Sequence, residues 1–291
     1  MEKISTQFVI FGKAFKRALV NIFRHPRLLF PFFSLALLEG AALCLWYYSP
    51  RPPVSKLLAP FVKAFFGDIY LHYPMNFLLL PRLEFLSRVV IYCLFAGVAL
   101  SMSASAVFQV EKEKRPPRLF GNFNRALRRF FPVFFVFLLA AFCGTAAYKL
   151  PRLILIKFFI SSPAFPVLKV FIVAISFLLN CLVEMFFVFV PVYLVVFREK
   201  FFASIRKSFR FAGLFFLPLG IFVAGFRSLD LLMNFFKSRL TGIVEHYFPI
   251  FPEFILYYLS LDITVFFIVN SIIVTVCFGL VLNNEKQTNA S

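Results

Sequence analysis

From Leu28 to Tyr48 the chain carries no base and a single acid, Glu39, in an otherwise uncharged apolar run. A helix needs roughly 20 such residues to cross the hydrocarbon of a bilayer. Similar runs predict further spans at about 88–110, 130–148, 168–197 and 263–284, and a shorter one at 211–226. The runs are continuous and do not alternate in segments of about ten residues, which argues against a membrane barrel. Composition agrees. Hydrophobic residues make up 61% of the 291, only 15% are charged, and mean hydropathy is +0.87. The expected class is an all-α, polytopic membrane bundle of about six transmembrane helices, 1–291 forming one membrane domain.

The first span is entered from a basic segment. Between residues 8 and 23, Phe8, Phe11, Phe15, Ala18, Leu19, Ile22 and Phe23 recur at helical spacing, while Lys13, Lys16, Arg17 and Arg24 fall on the other side. That pattern predicts an interfacial amphipathic helix. Pro26 ends it, because proline disfavours helix in the residue before it. Residues 1–27 lack the pattern of a cleavable signal. Two weaker versions follow, around Arg125, Arg128 and Arg129, and around Arg206, Lys207 and Arg210. We call these three segments elbows.

The net charge of +18 from 31 bases and 13 acids would suggest nucleic acid in a soluble protein. Here most bases flank spans. They include the elbow residues named above with Arg27, and Lys112, Lys114, Arg115 and Arg118. The positive-inside tendency then places both termini and all three elbows in the cytoplasm, against anionic lipid headgroups. No nucleic-acid motif competes with that reading.

Arg17-Ala18-Leu19, Arg125-Ala126-Leu127 and Lys207-Ser208-Phe209 each precede an odd-numbered span. Their order predicts a threefold repeat of elbow, span, loop and span over 1–111, 112–197 and 198–284, with a disordered tail at 285–291. The alternative is that any segment before a span tends to be basic and amphipathic. At Ala203-Ser-Ile-Arg-Lys-Ser208 the chain resembles a set of bacterial six-span membrane proteins. Among them is the membrane domain found fused to some glycerophosphoryl diester phosphodiesterases. The resemblance implies a membrane domain without catalytic residues, in a bacterial cytoplasmic (inner) membrane. The phosphodiesterase barrel itself has no counterpart in this sequence.

Two acids lie deep in predicted spans, Glu39 and Glu184. Ionisable groups at that depth are rare and costly, and they mark candidate functional sites. Asn180 precedes Glu184 by one turn; Ser101 and Ser105 share a face of the second span; Asn270 lies in the sixth. These side chains are expected to converge on one polar interior site for a cation, proton or lipid headgroup. The structural alternative is hydrogen-bonding glue between helices, with both acids neutral. Arg227 and Asp230, beside the short fifth run, are spaced to pair with each other. The cysteines, Cys44, Cys93, Cys143, Cys181 and Cys277, form no Cys-x-x-Cys pair and read as small buried hydrophobes. His72 and His246 lack metal-ligand spacing, and no nucleophile elbow or phosphate-binding loop appears.

The expected function is therefore non-enzymatic, with no cofactor or metal. It is lipid interaction, or service as a membrane subunit or scaffold for a protein partner or second copy. The alternative is a secondary transporter using Glu39 and Glu184.

Overall fold

The computed structural model describes residues 2–159, 165–247 and 252–289. Among them the chain forms eleven α-helices and no strand. In order they are α1 (Glu2–Arg24), α2 (Phe30–Tyr47), α3 (Ser55–Phe66), α4 (Met75–Glu111), α5 (Leu119–Arg128) and α6 (Phe130–Phe159). Then come α7 (Phe165–Phe187), α8 (Val190–Val195), α9 (Phe201–Leu214), α10 (Phe216–Tyr247) and α11 (Phe254–Asn289). Six stretches are long and apolar enough to cross a membrane: Pro26–Tyr47, Met75–Glu111, Phe130–Ile154, Val170–Val195, Phe216–Phe236 and Phe254–Asn284. The chain is an integral membrane protein of the all-α bundle class.

Several boundaries differ from the sequence reading. The second span begins at Met75, not near 88, so Pro81, Glu84 and Arg88 lie inside α4. Pro151, expected in a loop, lies inside α6. A proline removes one helical hydrogen bond and crowds the preceding turn. In lipid a broken helix would leave more backbone groups unsatisfied, so the helix continues through it. The fifth span was short only because Arg227 and Asp230 interrupt its apolar run; α10 carries both onward. Pro191 does break the fourth span: α7 ends at Phe187, and α8 restarts with Pro191 in its first turn, where the missing N–H costs nothing. The tail expected to be disordered stays helical to Asn289, beyond a non-helical Asn284.

The chain divides into two compact units. The division does not follow the boundaries of the three predicted repeats, because α2, α4, α10 and α11 contribute residues to both.

One unit comprises Met1–Pro31, Ala96–Arg227 and Ser271–Ser291. At its centre, residues 101–107 of α4 and 273–282 of α11 are buried on every side. The α4 stretch is rich in Ala and Ser, which let backbones approach closely. A methyl group on Gly97 would stand 3.4 Å from the Phe134 backbone nitrogen of α6. In contrast, α6 exposes Phe131, Phe135 and Phe142, a face suited to acyl chains. Val133 and Val136 of α6 pack on Val190 and Leu194 of α8, joined by Phe201 and Ile205 of α9.

The other unit comprises Phe32–Phe95 and Ser228–Asn270. Leu43 of α2, Phe77 and Leu80 of α4, and Ile255, Leu259 and Ile263 of α11 form its core. The amphipathic α3 inserts Val62 against Leu79 and Leu83. Trp46 Nε1–H donates to Ser87 Oγ at 2.6 Å, giving a half-buried indole the partner it needs.

Candidate functional site

Glu39 and Glu184 are each held by an arginine, in different units. In the Phe32–Phe95/Ser228–Asn270 unit, Arg88 Nε donates to Glu39 Oε2 at 2.8 Å. Its Nη2 lies 2.8 Å from Glu84 Oε1 and 3.0 Å from Asp262 Oδ2. The Phe266 ring centroid is 5.1 Å from the guanidinium carbon, close enough for a cation–π contact. All three acids are buried, and the Arg88 side chain keeps only 18% of its exposure. Glu84 and Arg88 are one turn apart on α4; α2 supplies Glu39 and α11 supplies Asp262. The guanidinium thus ties three helices together.

In the other unit, Arg227 of α10 grips Glu184 of α7 with both arms, Nε to Oε2 at 2.6 Å and Nη2 to Oε1 at 2.5 Å. This bidentate geometry is the strongest an arginine and a carboxylate make. This pairing of Arg227 runs across helices, from α10 to α7.

The remaining polar candidates differ in their surroundings. Asn180 is exposed, and a methyl on Gly144 of α6 would stand 2.8 Å from its Oδ1. Asn270 is buried and donates to the Phe266 carbonyl of its own helix at 2.7 Å. Ser101 and Ser105 are buried in α4. Cys181 and Cys277 are buried as expected, whereas Cys93 and Cys143 are half-buried and Cys44 is exposed. The side chains of Glu245 and His246 lie outside the described residues. Beyond the spans, the Tyr73 phenol is pushed above its ordinary range by desolvation and by Glu253, whose Oε1 accepts its hydrogen at 3.3 Å.

The three elbows are helices, and each buries a narrow stripe of small residues: Ala14 and Ala18 in α1, Asn122 and Ala126 in α5, Ser204 and Ser208 in α9. In α1 the stripe also includes Phe11 and Ile22, and Phe11 meets Phe222 of α10 edge-on at 5.3 Å. Phe8 and Phe23, on the apolar side of the same helix, are exposed on the protein surface, because packing on a protein neighbour occupies a narrower arc than the whole apolar side. Each elbow is fixed by a polar contact. Asn21 Nδ2 donates to Glu111 Oε1 at 2.5 Å, and Arg17 Nη1 lies 3.7 Å from Glu111 Oε2. Asn122 and Gln109 exchange side-chain bonds at 2.9 and 3.3 Å. Ser208 Oγ donates to the Phe186 carbonyl.

Outside the stripes, Lys13, Lys16, Arg17, Arg24, Arg27, Arg125, Arg128, Arg206 and Arg210 are exposed, and Arg129 and Lys207 are half-buried. Among them stand the very exposed Phe23, Phe120 and Phe202.

The sequence reading missed Arg88, Glu84, Asp262 and Glu111 as partners. Glu84 and Arg88 have the spacing of an i,i+4 pair, but the apolar run that predicts the second span begins at about 88 and leaves Glu84 outside it. Asp262 carried no signal beyond its position near a span end. No family model, curated protein or solved structure matches this chain.

Proposed function

We propose that this protein is a non-enzymatic lipid-organising protein of a bacterial cytoplasmic membrane, with both termini and all three elbows facing the cytoplasm. The observation that carries this reading is the division of labour on α1, α5 and α9. One side of each is a buried small-residue stripe; the other pairs exposed bases with exposed phenylalanines. Bases attract anionic headgroups, at about 1 kcal/mol each near the membrane surface. The aromatic rings beside them enter the boundary between headgroup and acyl chain. The resemblance to bacterial six-span membrane proteins, quoted above on Ala203–Ser208, supports the location. The threefold repeat is part of the reading: Ala14/Ala18, Asn122/Ala126 and Ser204/Ser208 occupy one register under the Arg17, Arg125 and Lys207 alignment. Retention of anionic phospholipid through gentle extraction tests it. A stoichiometric protein partner retained in its place would favour the subunit reading.

A second reading, a secondary transporter using Glu39 and Glu184, is favoured by the gathering of three carboxylates on Arg88 within spans, where ionisable groups mark ion pathways. It requires Glu39→Gln and Glu184→Gln each to stop transport while leaving the protein folded.

A further inference from the structure

The turn that leads into α5 and the turn that leads into α9 are built alike. After α4, the Phe108 carbonyl accepts from Lys112 N–H at 2.9 Å and from Glu113 N–H at 3.4 Å. Lys114 then adopts φ 55°, and Arg115 N–H closes on the Gln109 carbonyl at 3.1 Å. After α8, the Val192 carbonyl accepts from Val196 at 2.9 Å and from Phe197 at 3.3 Å. Arg198 adopts φ 57°, and Glu199 N–H closes on the Tyr193 carbonyl at 3.0 Å. Both chains then enter a helix through an extended residue, Arg118 or Lys200, whose carbonyl accepts from Asn122 or Ser204 N–H at 2.9 Å. The one difference in length is the pair Pro116-Pro117.

This correspondence makes Arg115 the counterpart of Glu199, and Arg125 the counterpart of Lys207. In the α9 joint these counterparts form an ion pair, Lys207 Nζ to Glu199 Oε1. In the α5 joint both are arginines, so no acid occupies the carboxylate's place. A cavity of about 500 Å³ lies there, lined by Arg115, Arg118 and Arg125. None of these three guanidinium groups pairs with an acid among the described residues. Glu113 also borders the cavity, leaving an excess of positive charge.

The surroundings are set. Gln109, on the cavity wall, is locked to Asn122 and accepts Arg118 N–H at 2.9 Å. Gly121 lines the cavity within the first turn of α5, which has no side-chain cap. The leading N–H groups of such a helix have no intrahelical partner and favour an anion. Several arginines converging on one cavity suit the planar oxygen edges of a phosphate group. The volume exceeds what a lone phosphate needs and falls within the usual range for small-molecule sites.

We infer that the cavity between Arg115, Arg118 and Arg125 binds a phosphate-bearing molecule, whose anion takes the place that Glu199 fills in the matching joint. The inference rests on the matched turns and not on the lipid collar. The phosphate could be carried by a lipid headgroup or by a soluble molecule, and the test separates them. Protein in phosphatidylcholine nanodiscs is titrated with inorganic phosphate, then compared with discs containing phosphatidic acid, the retained lipid being counted by native mass spectrometry. Phosphate binding assigns a soluble ligand; retention of phosphatidic acid alone assigns a headgroup. Arg115→Glu supplies the missing acid internally, so it should weaken whichever ligand binds at least tenfold without lowering the unfolding midpoint of the unliganded protein. Arg118→Gln should weaken it by a similar factor. Lys56→Gln, an exposed base of α3 outside the elbows, should leave it unchanged. The inference is overturned if neither probe binds, if both arginine variants bind like the wild type, or if the lysine variant loses as much.

Discussion

Arg88 and Glu39 join α4 to α2 through a 2.8 Å hydrogen bond in an apolar setting, and the same guanidinium also holds Glu84 and Asp262. The two ends of this contact are not equivalent. Arg88→Met leaves three buried carboxylates without their shared cation. Breaking a buried pair from one side costs about 3–5 kcal/mol, so this variant should lose most of its stability in detergent. Glu39→Gln keeps an oxygen for Arg88 Nε–H and leaves two acids in place. It should cost about 1 kcal/mol or less, near the net worth of one hydrogen bond. Thermal unfolding of both variants reads the difference.

Glu184 and Arg227 are joined by two hydrogen bonds, so a double-mutant cycle should read them as coupled. Glu184→Leu alone takes the bidentate carboxylate away from a half-buried arginine of α10 and should destabilise by about 3 kcal/mol. The double variant Glu184→Leu/Arg227→Leu should recover much of that loss, giving a coupling of 1 kcal/mol or more. Additive losses would mean that the contact contributes little.

How much of this was legible beforehand differs by residue. The uncharged run around Glu39 announced a span because length and apolarity suffice for that. The Ser and Ala residues near Ser101 marked a helix that others approach closely. The core role of α11 was hidden, since Ile273, Val274 and Leu280 look the same facing lipid or protein. Glu39 and Glu184 stood out as acids in apolar runs, but their arginines did not. Arg88 and Arg227 sat at apparent run ends, and a charge paired across helices leaves no trace in local spacing. The elbow bases were legible for the opposite reason: amphipathic periodicity is local. Which apolar residues each elbow would bury was not, because that depends on the packing partner.

The elbow stripes predict where extra volume is refused. Ala126 is fully buried and Ala18 nearly so. Ala126→Leu and Ala18→Leu should each cost about 1–3 kcal/mol through overpacking. Ser208→Ala, losing its bond to the Phe186 carbonyl, should cost about 1 kcal/mol. The exposed Arg128→Gln should stay within about 0.5 kcal/mol of the wild type. Unfolding midpoints for the set test the docking of all three elbows.

The lipid collar is tested most directly by counting the lipids that stay bound after gentle extraction from native membranes, in wild type and in a variant with Lys13, Lys16, Arg24, Arg125, Arg128 and Arg206 changed to Gln. The wild type should retain anionic phospholipids in preference to zwitterionic ones, and added salt should reduce that preference, because exposed charges are screened. The variant should fold and lose most of the retained anionic lipid. An unchanged lipid complement in the variant, or no anionic preference in the wild type, would contradict the account.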